Sequence, residues 1–70
     1  MMPLILANIG EEASIKRVGG KEETRQFLAK LGFVPGSQVT VVTQNNGNVI
    51  VHVKESRVAI SREMASKIMI

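Results

Sequence analysis

Seventy residues suffice for one domain, expected to span 1–70, and a chain this short buries only roughly 60% of its unfolded surface on folding, so its core is thin. Phe27 and Phe33 are the only aromatic residues, and the lack of cysteine excludes disulfides and zinc-thiolate centres as staples. Nine Lys and Arg against six Glu leave a net charge of +3, a slight bias toward acidic partners, because the basic residues are scattered among glutamates and apolar positions.

The longest apolar stretch, Met1 to Ala7, is broken by Pro3, falls far short of the ~20 residues that span a bilayer and lacks the basic start of a signal peptide. The chain is therefore expected in the cytoplasm. Leu4-Ile5-Leu6 before the turn-like Asn8-Ile9-Gly10 predicts a short lead-in held against the body by apolar contacts. A strand over about Ala13 to Val18 follows and ends at Gly19-Gly20, where the missing side chains allow a sharp change of direction.

Lys21 to Leu31 has helical periodicity, with Thr24, Phe27, Leu28 and Leu31 at i, i+3, i+4 and i+7 on one face. Glu22 and Glu23 in the first turn and Lys30 in the last complement the helix dipole, and Gly32 is placed for a left-handed cap. Both Phe27 and Phe33 read as core. Val34-Pro35-Gly36 makes a turn, proline presetting its first central position and glycine accepting the positive φ of the second.

A strand restarts over Ser37 to Gln44, Asn45-Asn46-Gly47-Asn48 supplies an Asn-Gly hairpin turn, and Asn48 to Lys54 returns. Alternation in the return strand puts Val49, Val51 and Val53 on one face and Ile50, His52 and Lys54 on the other. Glu55-Ser56 connects tightly to a strand over Arg57 to Ile60. Ser61 can cap a helical turn over Arg62 to Ser66, and Ile68-Met69-Ile70 closes the chain as a fifth strand. Five short strands suit a small closed barrel, because closure removes free edges.

Catalytic constellations are missing. Gly19-Gly20-Lys21 lacks the first glycine and the Ser or Thr of a phosphate loop, and His52, the single histidine, has no Asp to orient it. Single-stranded nucleic acid calls for aromatic platforms among basic residues, which two core phenylalanines do not provide, so no nucleic-acid partner is expected. Ferrous iron or manganese could accept His52 with Glu55 or Glu63, but nothing in their spacing brings them together; no resident cofactor is expected beyond a weakly held divalent transition metal.

The run Leu28-Ala29-Lys30-Leu31-Gly32-Phe33-Val34-Pro35-Gly36, followed by Val39-Thr40-Val41-Val42, resembles the signature of the FeoA family of ferrous iron transport accessory proteins. The order of Leu4, the Ile15 to Val18 strand, and Arg57-Val58-Ala59-Ile60 through Met64-Ala65 to Ile68-Met69-Ile70 extends the resemblance over nearly the whole chain. Glu55 departs from it, standing where a glycine is often found, as does Asn8-Ile9-Gly10 in place of a Pro-Gly-like turn.

The resemblance implies a mainly β fold: a small SH3-like five-stranded barrel with one α-helix inserted between the first two strands and a short helical turn before the last. It also implies a non-enzymatic, cytoplasmic accessory protein that docks on FeoB, a membrane ferrous iron permease with a cytosolic G-protein part, and reaches the membrane only through that partner. The expected contact is the helix and its following turn: Glu22, Arg25, Gln26 and Lys30 outside, with Phe33 and Pro35 at the rim. The alternative is a metal-sensing module, similar to the SH3-like domain of iron-dependent repressors, with His52, Glu55 and Glu63 as candidate ligands. Apolar termini leave room for weak self-association.

Overall fold

A computed structural model describes residues 1–70. Its strands are β1 (Glu12–Ser14), β2 (Arg17–Val18), β3 (Gln38–Gln44), β4 (Asn48–Val53), β5 (Ser56–Ser61) and β6 (Ile68–Met69), and its helices are α1 (Glu22–Lys30) and α2 (Arg62–Ala65). One antiparallel sheet runs β1-β3-β4-β5 and a smaller one pairs β2 with β6. The lead-in forms a 3-10 turn over Leu4–Leu6 whose Leu4 side chain is fully buried.

The expected strand from Ala13 to Val18 is two strands, making six in all. Ile15 sits at the break, its side chain in the core and its N–H donating to the Ser37 carbonyl at 2.9 Å, whereas the next N–H, of Lys16, donates to the Met69 carbonyl at 2.7 Å. Successive amides thus bond to different sheets, and one continuous stretch of chain forms the corner between them. α1 follows this corner, between β2 and β3.

The core is aliphatic, as an aromatic-poor chain demands. Val39 and Val41 of β3, Val49, Val51 and Val53 of β4, and Ile60 of β5 are buried together with Leu4, Ile15, Leu28, Phe33, Ala65 and Ile68. The period-2 alternation of β4 holds throughout: its three valines are buried and Asn48 and His52 exposed. In β3 the alternation breaks at Val42, an extra residue between the Val41↔Val51 and Thr43↔Ile50 pairs, which bends the strand.

The two hairpins reverse what their sequences suggest. Asn46-Gly47 does not adopt positive φ. Instead the loop closes through the Asn45 N–H on the Asn48 carbonyl at 3.0 Å and the Asn45 side-chain oxygen, which accepts the Asn48 N–H at 3.2 Å. The left-handed pair is Lys54 (φ 50°) and Glu55 (φ 65°), a two-residue turn between the Val53↔Ser56 partners. Side chains at such angles cost about 1 kcal/mol each. Glu55→Gly is accordingly expected to raise stability by about 1 kcal/mol, seen as an upward shift of the urea midpoint with unchanged slope.

α1 ends as its sequence predicts, in a full Schellman motif. Gly32 (φ 105°) donates to the Ala29 carbonyl at 3.0 Å and Phe33 to the Leu28 carbonyl at 2.9 Å, while Leu28 and Phe33 are both buried. The Pro35-Gly36 turn is closed by the Ser37 N–H on the Val34 carbonyl at 3.0 Å, with Gly36 at φ 92°. Ser61 caps α2, its Oγ accepting the Met64 N–H at 3.1 Å.

Candidate docking surface

Helix α1 presents most of its surface outward. At about 100° per residue, Thr24, Leu28 and Leu31 centre on the inward direction, and Phe27 stands about 70° to one side of it. Only Leu28 is fully buried, Thr24 and Leu31 are half-buried, and Phe27 is 48% exposed. The expectation of Phe27 as a core residue is thereby corrected: membership of a helical stripe is not burial when the residue lies at the stripe's margin.

Glu22, Arg25, Gln26 and Lys30 are all exposed, as expected, and Gln26 donates from Nε2 to Glu22 Oε1 at 3.3 Å one turn away. Pro35 is exposed on the turn that follows. Phe33 is not at the rim: at 1% exposure it belongs to the core, drawn in by the Schellman cap, and offers no side-chain surface to a partner. Its place as the outward aromatic is taken by Phe27, beside Lys30 at i+3 and Glu23 at i−4. The signal available in the sequence was positional, since Phe27 flanks the Thr24-Leu28-Leu31 stripe on the side of two charged residues.

The candidate metal ligands occupy different parts of the fold. His52 lies on the outer face of β4, directly across from Thr40 and Arg57. A guanidinium as cross-strand neighbour opposes a cation there. Glu55 is in the left-handed turn, and Glu63, on α2, lines a polar groove with Gly20, Lys21, Thr24 and Lys67. No three His, Cys, Asp or Glu side chains of the structure group so as to hold a metal ion.

The architecture, two small antiparallel sheets around one aliphatic core with α1 outside and α2 as a single turn, defines a small SH3-like β domain. A family model of the FeoA domain matches residues 2–70, and the chain belongs to the FeoA family, accessory proteins of ferrous iron transport. An Fe(2+) transport protein A of Methanocaldococcus jannaschii is 39% identical over 70 residues, all of this chain and 85% of the relative. The crystal structure of an iron uptake regulatory protein, FeoA, superposes with TM-score 0.89 at 26% identity, covering 97% of this chain and 92% of that one. The zinc-complexed FeoA of Stenotrophomonas maltophilia, described as a prokaryotic SH3 domain protein, shares the fold with TM-score 0.85 at 23% identity, covering 99% and 88%. No helix is long and apolar enough to cross a membrane.

Proposed function

We propose that the protein is a cytoplasmic, non-catalytic adaptor that docks through α1 and the Pro35-Gly36 turn on a FeoB-type ferrous iron permease, at its cytosolic G-protein part, and modulates iron uptake. The observation that carries this reading is the exposure of α1: of its nine residues one is buried, and a half-exposed phenylalanine stands among Glu22, Glu23, Arg25, Gln26 and Lys30. A helix that gives the core a single side chain contributes little packing for the residues it orders. An aromatic ring framed by charges is the composition of a protein-binding patch, the ring supplying area and the charges orientation. Family membership in ferrous iron transport supports the choice of partner.

The metal-sensor reading gains nothing comparable, because its three candidate ligands stand apart and His52 faces Arg57.

Titrating ¹⁵N-labelled protein with the soluble G domain tests the proposal. Amide shifts are expected along α1 and at Gly36. Phe27→Ala is expected to weaken binding about thirtyfold or more if the ring is the anchor, and Arg25→Glu to slow association by removing a rim charge. Absence of shifts at high concentration, or shifts confined to the sheet opposite α1, would overturn the docking mode.

A further inference from the structure

The corner that divides the first strand also leaves a seam. Ile15 turns both its N–H and its carbonyl toward the chain leading into β3, donating to Ser37 and accepting from Gly36 at 2.8 Å. Backbone groups alternate sides along a strand, so Ser14 and Lys16 point the other way. Lys16 is met there by the Met69 carbonyl, but Ser14 and Glu12 have no strand beside them, because β1 is the edge of its sheet and pairs with β3 alone.

Along this free edge runs a groove of about 460 Å³ lined by Met1, Met2, Ala13, Ser14, Lys16 and Ile70. Its far wall is formed where Met2 and Ile70 exchange backbone hydrogen bonds at 2.9 and 2.8 Å. Its apolar lining is incompletely covered, with Met1 77% and Met2 39% exposed, and methionine side chains adapt to varied shapes. Lys16 carries the one charged side chain among the six.

We infer that this seam binds an extended segment of a partner protein, one that adds to β1 as a strand, places alternate apolar side chains on Met2, Ala13 and Ile70, and sets a carboxylate against Lys16. The unpaired amide and carbonyl of Ser14, at strand spacing beside an apolar floor, select an extended backbone. The charge selects an acidic residue at the Lys16 end, in keeping with the overall charge of +3. This site is distinct from α1 and stands or falls independently of it.

The test is selection of short linear peptides from a random phage-displayed library on the intact protein, followed by ¹⁵N mapping of the best binder. Enriched sequences are expected to alternate apolar residues and to carry Asp or Glu, with shifts over Glu12–Lys16, Met2 and Ile70. Lys16→Glu and Ser14→Pro are each expected to weaken the selected peptide about tenfold or more. Proline at Ser14 removes an amide that faces away from β3 and so costs the sheet no ladder bond, and Lys16→Glu alters only an exposed side chain. Failure to enrich any sequence, binders that map to α1, or binders indifferent to both substitutions would overturn the inference. Indifference to Ser14→Pro alone would also overturn it, because the bound peptide would then not pair with the strand edge.

Discussion

Phe33→Ala is expected to lower stability by about 3–5 kcal/mol, the cost of deleting a fully buried ring and leaving a cavity, whereas Phe27→Ala is expected to cost under about 1 kcal/mol because half of that ring is already in water. For 70 residues the total stability is on the order of 4–10 kcal/mol, so the first substitution removes a large share of it and the second does not. Phe33 also lies three residues past the end of α1, and its N–H closes the Schellman motif on the Leu28 carbonyl. Truncating the ring therefore loosens the helix from the sheet as well as hollowing the core. Urea unfolding of the two variants checks this. Equal losses, or a greater loss at Phe27, would contradict the division of the two rings between core and surface.

Gly32→Ala is expected to cost about 3 kcal/mol, from two sources. A side chain at φ 105° is strained wherever it sits, by about 1–2 kcal/mol. Its Cβ would also stand 2.8 Å from the Lys54 Cγ and 3.3 Å from the Val53 Cγ2, overpacking that adds about 1–2 kcal/mol more. The neighbours have little freedom to retreat, because Val53 is core and Lys54 is held in the left-handed hairpin turn. For a domain of this size the loss corresponds to roughly 12–24 °C in Tm. Lys54→Gly removes both the Cγ and one strained residue, so the double variant Gly32→Ala/Lys54→Gly is expected to regain more than additivity allows. Strict additivity would show that the close approach of α1's end to the β4–β5 hairpin contributes nothing.

The two proposed surfaces differ in what they ask of a partner. α1 offers side chains on a convex helix, and its recognition is carried by a ring and scattered charges. The β1 seam offers backbone, an adaptable apolar floor and the Lys16 side chain. A partner that used both would span the domain from helix to seam, and Phe27→Ala and Lys16→Glu separate the two contributions.

Much of this protein follows from local sequence chemistry. The alternation of Val49, Val51 and Val53 fixes which face of β4 is buried, Ser61 starts α2, Gly32 ends α1, and Pro35-Gly36 turns the chain; each is decided by the conformational limits of the residues themselves. These signals need no partner from elsewhere in the fold. Tertiary structure decided the rest. The break at Ile15 depends on Ser37 and Met69 being on opposite sides of it, partners separated from it by more than twenty residues in either case. The choice of Lys54-Glu55 over Asn46-Gly47 as the left-handed turn depends on strand register, since the Val42 bulge shifts the pairing that reaches the other hairpin. Phe27 and Phe33 both fit a buried pattern, and only the direction from which α1 meets the sheet sends one ring outward and the other into the core. The groove along β1 has no local signal at all, because it is made where two strands that were expected to be one diverge.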